Sequence, residues 1–142
     1  MHIREKGAMK AGITTNEELL NDIFIEKIGQ QKALEEQNLI AEVSTPEAYT
    51  ITSSEERHPT LKAHRMVVVD FGIKGSILDY LQQFVDELVV VPYNTSFEAI
   101  KVYEPDGVLL SNGPGDPATL TDAVQTAKEL IASGIPTFGI CL

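Results

Sequence analysis

An α/β fold, with a parallel sheet covered by helices on both faces and a mainly helical linker ahead of it, is what this sequence predicts. Three observations carry that expectation. From Met66 onward short apolar runs recur, Met66 to Val69, Leu88 to Val91, Val108 to Leu110 and Ile135 to Ile140, as expected of strands buried on both faces. Between them apolar residues recur at helical spacing, and such alternation implies parallel pairing through right-handed crossovers. Upstream of Arg65 the chain is more polar and patterned mainly for helix.

Residues 1–13 mix charges and small residues without periodicity and read as the end of a preceding domain. Residues 14–65 read as helical linker and loop. Thr14 and Thr15 each have a glutamate three residues on, so either offers a capping box, and Leu19, Leu20, Ile23, Phe24 and Ile28 then form one apolar helical face. Gly29 is the expected stop. A weaker helical pattern runs from Ala33 to the mid-forties through Leu34 and Ile40, and the polar stretch Thr50 to Lys62 is expected to be loop.

Residues 66–142 are then half of an α/β domain. Asp70-Phe71-Gly72 ends the first run, Ser76 is placed to cap a helix carrying Ile77, Leu78, Leu81 and Val85, and Pro92 closes the second run. Thr95 with Glu98 forms another capping box before a short helix, and Pro105-Asp106-Gly107 turns the chain into the third run. A glycine-rich stretch, Ser111 to Pro117, follows. The next helix is expected to carry Leu120, Val124, Ala127 and Ile131 inward and to stop at Gly134.

With 142 residues the chain has room for one ordinary domain and an appendage. Its formal net charge of -10 comes from 11 basic and 21 acidic residues. Such a surface argues against nucleic acid or an anionic membrane as the main partner. The acidity is concentrated in the second region, which holds 3 basic and 10 acidic residues from Met66 onward against 8 and 11 before it. One cysteine excludes an internal disulfide, and neither a membrane span nor a signal core is visible, so a reducing, cytoplasmic compartment is expected.

Ligands of open parallel sheets collect beyond the carboxyl ends of the strands. That places Asp70 to Lys74, Pro92 to Thr95, Ser111 to Asp116 and Cys141 along one edge. An isolated cysteine among apolar neighbours is most often a buried structural residue. At a strand's carboxyl end, two residues after Gly139, it matches the start of a nucleophile elbow instead, where a following helix N-terminus would favour the thiolate. Gly113 and Gly115 leave backbone amides unshielded, so a substrate or an oxyanion can approach them. The same stretch could be only a tight connection. It is not a Walker loop, because no Gly-Lys-Ser/Thr follows. Lys74 reads as a surface charge or a local partner of Asp70. His2, His58 and His64 all precede the α/β region, which makes none of them a base for Cys141, and no cluster has metal-ligand spacing.

Together, Asp70-Phe71-Gly72-Ile73-Lys74, Leu110-Ser111-Asn112-Gly113-Pro114-Gly115-Asp116-Pro117 and Phe138-Gly139-Ile140-Cys141-Leu142 resemble the small subunit of carbamoyl phosphate synthetases, a class I glutamine amidotransferase with a flavodoxin-like sheet. His2 to Met9 looks like the end of that subunit's N-terminal domain, and Asn38 to Ser44 like the segment leading into its amidotransferase domain. The resemblance covers the whole chain. Amidotransferases serving anthranilate or GMP synthesis share the glycine loop and cysteine in general form only, and a non-catalytic flavodoxin-like docking module is the alternative from another class.

The resemblance implies hydrolysis of L-glutamine, with ammonia passed to a large synthetase subunit that makes carbamoyl phosphate from bicarbonate and ATP for pyrimidine and arginine synthesis. It implies Cys141 as nucleophile forming a γ-glutamyl thioester, and Gly113, Gly115 and Leu142 as glutamine-binding or oxyanion positions. No cofactor is implied in this chain; ATP and magnesium belong to the partner subunit. Family members continue beyond the cysteine with an elbow helix and later supply a His and a Glu. A fragment ending at Leu142 is therefore expected to be inactive alone. Ser76 and Val85 depart from the family's usual asparagine and glycine.

Overall fold

In a computed structural model, residues 9–32, 36–52 and 64–141 are described. The stretch resembling the end of an N-terminal domain, the start of the helix expected from Ala33, most of the expected loop with His58, and Leu142 lie outside them. By internal contacts the chain divides into two units, Met1–Gln37 and Asn38–Leu142.

In the first unit asparagines, rather than threonines, set the boundaries. Asn16 accepts from the Glu18 amide at 3.0 Å and starts a single 3-10 turn, Glu17–Leu19. Asn21 accepts from the Phe24 amide at 3.1 Å and starts α1, Asp22–Gln30. The expected single helical face is thus split, because each asparagine competes for nearby amides and restarts the chain. Gly29 does not end α1, which closes at Gln31. Gly12 packs on this helix so closely that a Cβ would lie 2.6 Å from Ile28 Cδ1.

The second unit holds a five-stranded sheet. Its elements are α2 (Leu39–Val43), β1 (Tyr49–Thr52), β2 (Arg65–Asp70), α3 (Gly75–Leu81), β3 (Glu87–Pro92), α4 (Phe97–Lys101), β4 (Gly107–Leu110), α5 (Thr121–Ser133) and β5 (Thr137–Gly139). Strand order is β1-β3-β2-β4-β5. The four strands read from the sequence are parallel to one another, but β1 runs antiparallel to β3, pairing Tyr49 with Val90 and Thr52 with Glu87. The parallel order expected from the sequence thus holds for those four strands, and an antiparallel edge strand makes the five-stranded sheet mixed. Four residues of the stretch expected to be linker and loop form this edge strand, Tyr-Thr-Ile-Thr, a composition that suits a pleated edge.

Helices cover both faces, as expected. On one, Val67, Val69, Val89, Val91 and Val108 pack with Ile40 of α2, Ile100 of α4 and Leu130 of α5; on the other, Val68, Val90 and Leu109 pack with Leu78 of α3. Alternate residues of β2 and β3 thus supply both cores, which is why these strands are continuously apolar. Val85 is buried, but beyond the end of α3. Lys74 occupies the α3 N-cap without a side-chain bond, and Ser96 caps α4 by accepting from the Ala99 amide at 3.3 Å, so neither Ser76 nor Thr95 has the capping place expected of it.

Two predictions arise from the sheet edges. Tyr49 is 42% exposed, and the partial burial of its hydroxyl, with secondarily the charge of Asp70, raises its pKa above the ordinary 10.0. The unfolded chain then ionises first as pH climbs past 10.0, so it binds fewer protons than the native state and stability falls. Unfolding midpoints should drop from pH 9 upward less steeply in Tyr49→Phe than in wild type; equal slopes would remove this assignment. At the other edge β5 has three residues and Phe138 is 67% exposed. Its amides should exchange with solvent faster than those of Met66 to Val69, and equal protection would contradict that reading.

Candidate active site

Strand register brings the expected loops to one level. Val69 pairs with Leu110 and Leu110 with Gly139, so Asp70, Ser111 and Ile140 each stand one residue past a paired position. Between β2 and β4 the strand order reverses, and the crevice beyond such a switch point is where open α/β sheets take ligands.

The loop after β2 is built on Asp70, which is 5% exposed. Its Oδ1 accepts from the Gly72 and Ile73 amides, both at 2.8 Å, and its Oδ2 accepts from the Thr45 amide at 2.7 Å. Backbone amides, rather than Lys74, are thus the hydrogen-bond partners of this carboxylate. Gly72 closes the turn at φ +116, a conformation that suits glycine.

The glycine loop is fastened to this first loop. Ser111 is fully buried; its Oγ accepts from the Phe71 amide at 2.9 Å and donates to the Asn112 carbonyl at 2.8 Å. Asn112 Nδ2 donates to the Gly72 carbonyl at 3.2 Å. Gly113 lies hard against Phe71: a Cβ there would sit 2.2 Å from the Phe71 carbonyl oxygen. Gly115 differs. Space around it is open, and its φ of +93 is what favours glycine. Asp116 then turns the chain by accepting from the Ala118 amide at 2.9 Å.

Cys141 follows β5 with φ +69, and it is exposed. A non-glycine residue in the left-handed region costs on the order of 1 to 3 kcal/mol and clusters at functional sites. This is the sharp turn after a strand that a nucleophile elbow requires. Cys141 lines a cavity of about 290 Å³ shared with Phe71, Ser111 and Ile140 and walled by α5. Cys141 and the first residue of the glycine loop therefore meet at one cavity, whereas Gly113 and Gly115 do not line it. The position of Leu142 lies outside the described residues.

Burial on α5 is shifted from the expected pattern. Thr126 and Leu130 are its buried residues, while Val124 is 39% and Ile131 74% exposed. Val124 and Ala127 face the cavity beside Cys141. At the opposite, amino edge of the sheet, His64 lies with its Nδ1 3.7 Å from Asp106 Oδ2 and its amide donating to Asp86 at 2.6 Å. It immediately precedes β2, whose far end meets the cavity, so the one described histidine is no partner for Cys141.

Residues 67–142 match the family description "Glutamine amidotransferase class-I". The chain belongs to that family. Its amidotransferase portion thus begins within β2 and runs through Cys141. The chain is 40% identical to the carbamoyl phosphate synthase small chain of Synechococcus sp. over 147 residues, covering 99% of this chain and 37% of that protein. For the small chain of Neisseria meningitidis serogroup B the identity is 39% over 146 residues, covering 99% and 39%. A third small chain, from Mycolicibacterium paratuberculosis, is 37% identical over 141 residues, covering 99% and 36%. The amidotransferase chain spans less than two fifths of the length of these curated relatives. No helix among the described residues is long and apolar enough to cross a membrane.

Proposed function

We propose that these residues belong to a glutamine-hydrolysing small subunit of carbamoyl phosphate synthetase, with Cys141 as its nucleophile. The observation that carries this reading is the left-handed turn at Cys141, on a cavity shared with Ser111 at the switch point, in a chain of the amidotransferase family. Similarity to small chains along 99% of the sequence supports the choice among amidotransferases.

In this reaction the Cys141 sulfur attacks the carboxamide carbon of L-glutamine. A tetrahedral oxyanion forms, the carbon–nitrogen bond breaks, and the nitrogen takes up the proton given up by the thiol and leaves as ammonia, giving a γ-glutamyl thioester. Water then cleaves the thioester to glutamate and regenerates the thiol. Splitting amide hydrolysis in this way replaces one difficult step by two easier ones. Amides at Gly113, Gly115 and Leu142 are the proposed donors to glutamine or to the oxyanion. The ammonia passes to a large synthetase subunit, which holds ATP and magnesium and joins nitrogen to bicarbonate. Carbamoyl phosphate made this way serves pyrimidine and arginine synthesis in the cytoplasm.

A glutamine-analogue electrophile tests the reading in the complete protein. Mass added at Cys141, blocked by excess glutamine, is the expected result. No labelling, together with full activity in Cys141→Ser, would remove the nucleophile assignment, whereas no labelling and no glutamine turnover in the wild type would leave a non-catalytic docking module as the better description.

A further inference from the structure

We infer that Asp70 is a positioning residue, which uses the segment entering the sheet to hold part of the wall of the cavity that Cys141 also lines; the inference rests on the reaction proposed above. Asp70 is buried at the end of β2, and both its carboxylate oxygens are engaged. One shapes the Phe71–Ile73 turn. The other reaches 25 residues back in sequence to the Thr45 amide.

Thr45 follows α2 in a strap that crosses the carboxyl edge of the sheet. Ser44 Oγ accepts from the Tyr93 amide at 3.0 Å, just past β3, and Val43 lies where a Cβ on Gly72 would meet it at 2.8 Å. The strap is therefore fastened at the ends of both β2 and β3. From the turn the connection passes to the glycine loop through Phe71 to Ser111, Asn112 to Gly72, and the contact of Gly113 with Phe71. Phe71 and Ser111 are also cavity wall. A single carboxylate thus joins strap, turn and glycine loop, and a shift in the strap is passed on to groups that line the cavity with Cys141. Small misplacements of such groups cost rate rather than substrate binding.

The test uses the full-length protein and three variants. Asp70→Asn keeps an acceptor oxygen for Gly72 and Ile73 but directs an N–H at the Thr45 amide; Asp70→Ala removes all three bonds; Ser44→Ala loosens the strap and leaves Asp70 intact. Rates are taken per glutamine-protectable Cys141 thiol, counted with a glutamine-analogue electrophile, so that unfolded protein does not count. Asp70→Asn should lower kcat about tenfold and Asp70→Ala about 100-fold, with KM changed by less than about threefold. Ser44→Ala should lower it less, in the same direction. Amide exchange should rise at 71–73 and across 111–116 in all three variants.

Wild-type kcat per thiol in Asp70→Asn, or exchange that rises at Thr45 but not at 111–116 in Ser44→Ala, would overturn the inference. Should Asp70→Ala fail to fold, the other two variants decide. Absence of glutamine turnover in the wild type would defeat the proposed function, and the exchange measurements would still show whether the strap holds the loop.

Discussion

Cys141→Ser is expected to lower glutamine hydrolysis on the order of 10⁴-fold or more, because the group that forms the covalent bond is replaced by a far weaker nucleophile. KM should change little, since the hydroxyl occupies nearly the same space. Stability should also hold: Cys141 is exposed and packs in no core. Three measurements separate this from a folding defect, namely kcat, the unfolding midpoint and labelling by a glutamine-analogue electrophile. Loss of labelling and turnover with an unchanged midpoint is the expected set. A serine variant that keeps a tenth or more of the wild-type rate would show that the chemistry runs elsewhere.

Gly113→Ala should be the most damaging change in the glycine loop. The added methyl would meet the Phe71 carbonyl oxygen at 2.2 Å and Phe71 Cβ at 2.7 Å. Two of the three nearest atoms are backbone, so no side chain can simply rotate away. The loops after β2 and β4 must separate, and overpacking of this kind costs about 1 to 3 kcal/mol. The Ser111–Phe71 hydrogen bond stands in the path of that separation. Denaturant unfolding should show the loss directly, and kcat should fall with it, since Phe71 and Ser111 line the Cys141 cavity. Gly115→Ala is the control. Its position is open but has φ +93, so its cost is conformational and leaves the Gly113 contact with Phe71 intact. If Gly113→Ala were as stable as wild type to within about 0.5 kcal/mol, the close approach would not constrain the loop.

Four strands, their order along the chain and the edge that carries the loops were legible in advance, because continuous β-branched runs leave little choice of structure. Val67, Val68 and Val69 must all be buried, and only a strand covered on both faces does that. Cys141 was legible for the same reason: a glycine and a thiol at the end of such a run point to a turn.

Elsewhere local pattern misled. Tyr49–Thr52 looked like linker because nothing short-range announces an antiparallel partner; β3, whose Val90 pairs with Tyr49, lies far along the chain. The apolar stripe of α5 was read as core-facing, but Val124 and Ala127 were spent on the cavity. A pattern of apolar residues records distance from water, and a ligand cavity satisfies it as well as a core does.

The chain's own chemistry settled the identity of four strands and the family resemblance, and singled out Cys141 as the proposed nucleophile, since each depends on residues close together in sequence. The roles of Asp70, Ser111 and Gly113 were decided only by the folded arrangement. Asp70 could be read as a local ion-pair partner of Lys74 until the strap brought the Thr45 amide to 2.7 Å. Ser111 could be a turn residue until β2 and β4 paired and placed the Phe71 amide at its hydroxyl. These contacts join segments 25 to 40 residues apart, so they follow from strand order and register rather than from any local signal.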